Sequence, residues 1–412
     1  MLARLLPVGV LTLFAVGPLR ALGDPPSPPP PEWQDDADEE PDATDRAGWP
    51  IDVGLFGTLA AGAYLEGTQT DVRPRHRMND DPSRTGFDLQ RLQLGLQGTR
   101  GLLTTRVFIA IPHAAGVEID EALLALRLRS TGGAWLTVDG GVLRAQVGHQ
   151  NALHLVQQWM PRRPAMASVM FGPSGLVAPG ARAIAGHDLG DEVRLQLAAE
   201  VLSIDRAADA TLPPQTFGGD GPDGPTPVFT ASGRVGDRAL LAEASATYAF
   251  GRMYFPDRTQ LCTIEDVTTP CPAGRSHVYG GHLLAEGRPG GTLVRGVVEA
   301  FFRRVPTYNL TNGALYVELD AQPLSWLEAA LRLDVVGVPA DSIVLRKSQL
   351  WSASLAWTGR HARLRLSYQY DHKPQALKAP KPPAPPEVDG TTLFLQAEFG
   401  LGALADYFRT NH

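Results

Sequence analysis

The sequence predicts an all-β protein, a transmembrane antiparallel β-barrel of about 16 strands. Three observations lead to this fold class. From Ile51 onward, polar and apolar residues alternate in segments of about ten residues. The connections between these segments are alternately short and long. After the N-terminal leader no apolar run is long enough for a transmembrane helix, so a membrane crossing requires strands.

The alternation is clearest in two segments. In the first, Leu92, Leu94 and Leu96 share one face, while Arg91 and Gln93 share the other. The stretch 363–370 places leucine and tyrosine on one face, opposite arginine, serine and glutamine. A period of two residues is that of a strand with one apolar and one polar face. We assign strands near 51–67, 87–98, 102–112, 118–129, 134–149, 181–189, 192–203, 228–236, 239–250, 277–287, 292–304, 312–321, 325–336, 348–358, 361–372 and 391–401.

The connections favour a barrel that crosses a membrane. Short turns are predicted at Gly98–Gly101, Ser130–Gly133, Gly190–Asp191, Gly236–Asp237, Arg288–Gly291, Gln322–Leu324 and Thr358–Arg360. Longer loops lie mostly between them, near 68–86, 150–180, 204–227, 251–276, 337–347 and 373–390. A soluble β-sandwich or a solenoid would also alternate, but would not need this rhythm, which is typical of bacterial transmembrane barrels. In lipid every backbone donor and acceptor must be paired, so the strands must close into a ring.

The first 50 residues have a different character. Residues 1–23 have the features of a secretory signal peptide, because Arg4 precedes an apolar run and Ala21 begins a small-x-small cleavage site. The apolar run is too short for a membrane anchor, which is the alternative interpretation. Residues 24–50 combine a proline run with an acidic stretch and predict an extended, disordered periplasmic segment. The outer-membrane barrel is therefore expected over 51–412.

Charge and cysteine content exclude several classes of function. Residues 51–412 carry 34 basic and 35 acidic side chains, a balance that does not suit nucleic-acid binding. Cys262 and Cys271 have eight residues between them and could close a small loop as a disulfide in an exported protein. The sequence contains no metal-binding spacing, phosphate-binding glycine loop or Gly-x-Ser-x-Gly nucleophile elbow. We therefore expect no cofactor, no metal and no catalytic site.

Charged side chains on the polar faces are the candidate functional residues, because they would line a water-filled lumen. The first half of the barrel should contribute Arg91, Arg106, Arg127, Arg129, Arg144 and Arg194. The second half should contribute Glu299, Glu318, Asp320, Glu328, Asp334 and Glu398, with Arg295, Arg332, Arg363 and Arg365 among them. A basic wall opposite a more acidic wall would set a transverse field that tunes ion selectivity. Alternatively, the charges only keep the channel wet and pair with neighbours across strands.

The longest unpatterned loop, 150–180, follows the fifth segment. It contains apolar residues that are unusual in a loop exposed to water, among them Trp159, Met166 and Phe171. Folding of this loop into the barrel as a constriction would explain them, and Arg162 and Arg163 are then predicted to narrow and polarise the pore. The alternative is a loop packed over the barrel mouth or against a neighbouring subunit.

Several strand sequences, in their order along the chain, carry a family resemblance. They are Gly313–Leu319, Pro323–Asp334, Ser354–Trp357, Gly359–Tyr370 and Leu393–Phe399, with a looser likeness over Arg91–Gly101 and Asp120–Gly148. Together they resemble the phosphate-selective porin (porin O/P) family of outer-membrane β-barrels over most of 87–401. The resemblance implies a usually trimeric barrel, a loop folded into the pore after strand five, and anion conduction past lumenal Arg and Lys. Lysine is nearly absent here, so a lysine-dependent phosphate site is not carried over.

These features predict an outer-membrane porin, a water-filled channel for the diffusion of small ions and solutes. The family resemblance further implies a preference for anions or phosphate. The expected partners are outer-membrane lipids, small anions or other solutes, and further copies of the chain in a homotrimer. Nucleic acid is not expected. Two alternatives stay open: a barrel enzyme such as an outer-membrane lipase or protease, and a barrel that serves as a structural or adhesion anchor.

Overall fold

The computed structural model describes the chain in sixteen ranges that all fall within one compact unit, Trp49–His412. They are 51–66, 86–112, 117–129, 132–153, 157–171, 175–190, 192–204, 226–237, 239–253, 261–264, 267–270, 274–306, 310–339, 347–359, 361–372 and 390–402. The predicted signal peptide (1–23) and the predicted acidic segment (24–50) lie outside the described residues.

Strands dominate the described residues. In chain order they are β1 Ile51–Glu66, β2 Gly86–Arg100, β3 Leu103–Pro112, β4 Glu118–Arg129, β5 Ala134–Arg144, β6 Val177–Leu189, β7 Val193–Leu202, β8 Thr226–Gly236, β9 Leu240–Met253, β10 Leu261–Ile264, β11 Val267–Pro270, β12 Gly274–Gly287, β13 Leu293–Val305, β14 Leu310–Leu324, β15 Leu327–Val338, β16 Ser348–Thr358, β17 Ala362–His372 and β18 Gly390–Gly402. Two short helices, α1 Gly148–Ala152 and α2 Ala165–Phe171, lie between β5 and β6.

Sixteen of the described strands form one closed barrel, which confirms the predicted fold class. Each strand pairs antiparallel with the next barrel strand in the chain, and β1 closes the ring by pairing with β18, from Gly54 opposite Gly402 to Glu66 opposite Thr391. Strands β10 and β11 form a separate two-stranded sheet, so β9 pairs directly with β12. A closed ring leaves no unpaired strand edge.

The two faces of the barrel wall differ in the way the alternation predicts. On β17 the residues Arg363, Arg365 and Ser367 are buried, while Leu364 and Leu366 are exposed. The same holds around the ring, where many leucines, valines and aromatic residues are exposed and most buried charged residues lie on the opposite face. Polar side chains therefore point into the barrel, and the outside is an apolar belt.

Short connections lie at one end of the barrel. The turn after β2 contains Gly101 at φ 57°, and the turn after β6 contains Gly190 at φ 72°, a backbone conformation that glycine adopts without steric cost. We call this the short-turn end. At the other end most connections are longer, with two exceptions: residues 113–117 join β3 to β4, and residues 306–309 join β13 to β14. None of the helices among the described residues is long and apolar enough to cross a membrane.

Two sequence-based assignments differ from the structure. The predicted loop 251–276 contains the β10–β11 hairpin, whose residues Val267, Thr268 and Thr269 are of types that favour strands. The predicted strand 134–149 ends at Arg144. It cannot continue to 149 because Gly148 has φ 67°, which breaks the extended backbone as α1 begins.

Candidate functional site

The connection between β5 and β6 comprises residues 145–176, of which the structure describes 145–153, 157–171 and 175–176. These described parts cover side chains on the inward face of the barrel. Its helix α2 packs against β13, β14 and β15, and α1 packs against β9 and β12. All seven residues of α2 are buried. Phe171 meets the ring of inward-facing Phe301 edge-on, with ring centroids 5.1 Å apart. The apolar residues that are unusual for a surface loop are therefore buried against the barrel wall.

Arginines of the wall hold backbone carbonyl groups of this connection. Arg332 donates from Nη1 to the Arg162 carbonyl oxygen over 2.9 Å. Arg363 and Arg365 both donate to the carbonyl oxygen of Gln158, over 3.1 and 2.9 Å. Guanidinium groups suit this role because they stay charged when buried and offer several donors in a fixed plane.

Carboxylates of the wall hold backbone N–H groups of the same connection. Asp334 accepts from the N–H of Ala165 over 2.7 Å, and Glu299 accepts from that of Gln150 over 3.2 Å. Glu299 also accepts from the hydroxyl of buried Tyr316 over 2.9 Å. Charge-assisted hydrogen bonds of both signs therefore fix the connection to the wall.

The same charged residues of strands β13–β18 pair with one another, either between strands or, for Arg332 and Asp334 of β15, within one strand. Arg295 lies 2.8 Å from Asp320, Arg332 2.9 Å from Asp334, and Arg365 2.7 Å from Glu398. The set, which we call the seating wall, consists of Arg295, Glu299, Glu318, Asp320, Glu328, Arg332, Asp334, Arg363, Arg365 and Glu398, all buried. Buried charges are tolerated when they are paired and hydrogen-bonded.

Two of the predicted lumenal arginines in the first half of the barrel are also buried. Arg91 and Arg144 share the carboxylate of Asp120, at 2.5 and 3.1 Å. In a similar pair farther round the ring, Arg182 bonds to Asp139. These acids and Arg182 were not among the predicted residues, although the alternation places Asp139 on the polar face of its strand. The first half is therefore not a purely basic wall.

The remaining predicted arginines of the first half keep contact with water near the short-turn end. Arg234, which was not predicted, joins these four on the inward face of β3–β9, where two acids are also partly exposed. We call this set the open wall: Arg106, Arg127, Arg129, Arg194 and Arg234, with Asp188 and Glu243.

The open wall contains a row of charges that crosses four strands. Arg194 lies opposite Asp188 on one side and opposite Arg234 on the other, and Arg234 lies opposite Glu243. Arg194 donates to Asp188 over 2.7 Å, and its side chain is 47% exposed. The row itself is balanced, because its two arginines face two acids. The excess positive charge of the open wall therefore comes from Arg106, Arg127 and Arg129.

Arg162 and Arg163, predicted to narrow and polarise the pore, have different surroundings. Arg163 is 3% exposed and donates to the carbonyl oxygens of Gln150 and Leu153, within the connection itself. Arg162 is half-buried, donates to Gln369 on β17, and lies over the Phe394 ring at 4.0 Å. Of the two, Arg162 retains more contact with solvent.

One cluster was not found from the sequence. The Ser245 hydroxyl lies 2.7 Å from Nδ1 of His282, and Nε2 of His282 lies 3.0 Å from Glu243. Ser245 and His282 are directly opposite each other on β9 and β12. The His149 ring is 5.6 Å from that of His282. The alternation places all three residues of the cluster on inward faces, but only the strand register brings them together.

The remaining predictions about sites concern cysteines and metals. Cys262 lies in β10, but Cys271 is outside the described residues, so their pairing stays a prediction. Within the described ranges, no group of three or more His, Cys, Asp or Glu residues could hold a metal ion.

Comparisons with known proteins identify the fold. No family model and no curated protein matches the chain. Solved structures do, among them the in-vitro folded trimer form of the outer-membrane protein OmpT of Vibrio cholerae, at 7% identity and a TM-score of 0.53 over 86% of this chain and 100% of that one. OmpF of Salmonella typhi, solved with daunomycin, has 10% identity and a TM-score of 0.51 over 85% and 98%. OprB of Pseudomonas putida has 10% identity and a TM-score of 0.51 over 86% and 94%. The fold is that of bacterial outer-membrane β-barrels.

Proposed function

We propose that the chain is an outer-membrane porin, a channel for the diffusion of small polar solutes and ions with a preference for anions. The observation that carries the proposal is the closed barrel of sixteen described strands with its charged side chains inside and its apolar side chains outside. An apolar belt around a closed ring of strands requires lipid outside, and the polar inner face requires water or polar contacts inside.

The connection 145–176 is proposed to act as the constriction of this channel. It is bound to the seating wall by hydrogen bonds of two kinds. Arg332, Arg363 and Arg365 donate to its carbonyl groups. Asp334 and Glu299 accept from its N–H groups. The solute path then runs along the opposite side of the lumen and past the open wall at the short-turn end. This assigns anion preference to the open wall and a structural role to the seating wall.

The sign of selectivity tests the proposal directly. Purified protein in a planar bilayer with a tenfold KCl gradient should show channel steps and a reversal potential of the sign given by chloride preference. Replacing Arg127, Arg129, Arg194 and Arg234 by glutamine should move the reversal potential toward that for cation preference. As a control, Arg91→Gln removes a buried charge outside the open wall and should change selectivity less. Cation selectivity of the wild type would contradict the anion preference, and the absence of channel steps would favour an anchor.

The family resemblance also implies two more specific properties, a preference for phosphate and the formation of a trimer. Substituting potassium phosphate for KCl in the same bilayer compares the two anions, and a selective channel would be blocked or saturated by millimolar phosphate. Trimer formation is supported by the likeness to OmpT of Vibrio cholerae, which was solved in a trimer form. Light scattering of the detergent-solubilised protein should give three copies per particle.

A barrel hydrolase is the second candidate, and the Ser245–His282–Glu243 cluster favours it. His282 with its proton on Nε2 donates to Glu243 and can accept the proton of the Ser245 hydroxyl on Nδ1. The Ser245 oxygen would bond to an ester carbonyl carbon, the protonated His282 would return the proton to the leaving alcohol, and water would release the acid. Hydrolysis of p-nitrophenyl acetate that is lost in Ser245→Ala and His282→Gln would support this activity. Equal rates in wild type and variants would exclude it.

A further inference from the structure

The outer face of the barrel carries a basic cluster at the end opposite the short turns. Arg275 and His277 on β12 and Arg304 on β13 share the outward face with exposed Tyr279 and part-buried Phe302, since buried Ser276, Val278 and Arg303 alternate with them. Arg304 is directly opposite His277. On the other side of β12, Arg275 is opposite position 252 of β9, which is also an arginine.

No acid balances this cluster among the described residues. None of the outward-facing strand side chains that the structure describes is Asp or Glu. Arg275 and Arg304 are both exposed, and neither forms an ion pair within the described ranges. Residues opposite each other on paired strands, such as Arg304 and His277, have Cβ atoms about 5 Å apart. Such a cluster is stabilised when an anion binds between the guanidinium groups.

An aromatic layer lies directly below the basic residues. Tyr279 stacks on Phe302 with ring centroids 5.9 Å apart, and the Tyr248 hydroxyl lies 2.8 Å from Nδ1 of His277. Tyr248, Phe250 and Tyr279 are each more than 40% exposed on the outer face. Aromatic girdles of this kind mark the interface between lipid tails and head groups. The basic cluster therefore lies at head-group level, just beyond the acyl chains.

We propose that Arg275, His277 and Arg304 form a binding site for the phosphate groups of a phosphorylated membrane lipid, whose acyl chains pack on Tyr248, Phe250 and Tyr279. The inference rests on the membrane location in the proposed function, but not on conduction. The site is on the outer wall and is continuous with the apolar belt, so a lipid can contact both layers at once. A free phosphate ion would use only the arginines. Two guanidinium groups can bind phosphate oxygens with paired hydrogen bonds.

The test is lipid binding to detergent-solubilised protein, followed by native mass spectrometry. The probes are lipid A with two phosphates and the same lipid after enzymatic removal of both phosphates. The wild type should bind the phosphorylated lipid about tenfold more tightly than the dephosphorylated one. The double variant Arg275→Gln/Arg304→Gln should lose that difference. Arg100→Gln is the matched control, because Arg100 is exposed at the short-turn end of β2, and it should bind as the wild type does.

Two results would overturn the proposal. One is equal binding of the phosphorylated lipid by the wild type and the double variant. The other is displacement of the lipid by an equal concentration of inorganic phosphate, which would assign the site to the free ion. Conductance of the same double variant separates this proposal from the channel proposal. The conductance of this variant should equal that of the wild type. If the wild type shows no channel activity, the channel proposal fails, but the lipid measurement in detergent still tests the lipid site.

Discussion

The seating wall and the open wall are built from the same residue types on the same inward faces, yet their charges have different surroundings. In the seating wall Arg295, Arg332 and Arg365 are at most 3% exposed. In the open wall the side chain of Arg194 is 47% exposed and that of Arg106 is 31% exposed. The difference follows from the connection 145–176, which covers strands β13–β15 and leaves the short-turn end of β3–β9 in contact with water.

An inward-facing charge in this barrel is therefore not by itself exposed to the lumen. Glu299, Glu318 and Asp320 were predicted as pore-lining, but each is buried at 1% exposure or less and bonds to protein groups. Their desolvation in a low-dielectric interior must be offset by these partners. The exposed arginines of the open wall keep their hydration, and the anion preference of the proposed channel is assigned to them for this reason.

Removing one member of the seating wall should have the largest effect. Arg332→Ala would leave Glu318 and Asp334 buried without their shared cation and would release the Arg162 and Arg163 carbonyl groups. We expect a loss of about 3–5 kcal/mol in the free energy of unfolding. Urea-induced unfolding in lipid vesicles, followed by tryptophan fluorescence, would measure it.

Conductance gives a second measurement on the same variant. Without the hydrogen bonds from Arg332, the connection 145–176 should be less firmly fixed in the lumen. The variant should then show a larger and more variable single-channel conductance than the wild type. Arg332→Lys is the matched variant, because it keeps the charge but not the planar set of donors, and it should fall between the two. Wild-type stability of Arg332→Ala would show that the pairs in this wall contribute little.

The contact between the connection and the wall can be tested next at Gly148. An added Cβ would lie 1.8 Å from Oε1 of Glu299 and 2.8 Å from the Phe301 ring, and the residue has φ 67°. Gly148→Ala should therefore cost about 1–3 kcal/mol through overpacking. Gly101→Ala is the control, since Gly101 has a similar φ of 57° but no atom within 4 Å of the added carbon. If both variants lose the same stability in urea unfolding, the backbone alone explains the effect and close packing against Glu299 contributes nothing.

Much of the fold was predictable because it depends on local patterns. The period of two in 363–370 is independent of any partner, and so is the turn chemistry at Gly101 and Gly190. The closed ring then follows from the physics of lipid. The β10–β11 hairpin was missed because its strands of four residues each are too short to establish a period.

The site was less predictable because it depends on contacts between distant residues. Alternation placed Glu299 on an inward face, but nothing local to β13 shows that Gln150, 149 positions earlier, donates to it. Arg194 and Arg332 have the same strand pattern in the sequence, yet one is exposed and the other buried. Which of the two is buried depends on the path of the connection 145–176. That segment has no periodic pattern from which its path could be predicted.

A single change in the open wall should have a small effect on stability and a measurable effect on selectivity. Arg194→Ala removes an exposed ion pair with Asp188, so unfolding should change by less than about 1 kcal/mol. The reversal potential in a KCl gradient should move toward cation preference, because one of the neighbouring positive charges is lost. Arg194→Lys should restore the wild-type value. A reversal potential unchanged by Arg194→Ala would remove this residue from the solute path.

The smallest effect is expected at Asp237, in the turn that joins β8 to β9 of the open wall. The backbone N–H groups of Ala239 and Leu240 donate to its carboxylate over 2.8 and 3.0 Å, and these hydrogen bonds lower the pKa of Asp237. A lowered pKa in the folded state stabilises the turn above the pKa of the unfolded chain, about 4, and this contribution is lost as the pH falls through the folded value. Hydrogen exchange of the turn amides should therefore accelerate at low pH in the wild type, while Asp237→Asn should exchange with a weaker pH dependence once the intrinsic rate is subtracted. Identical pH profiles in the two proteins would show that the carboxylate does not hold the turn.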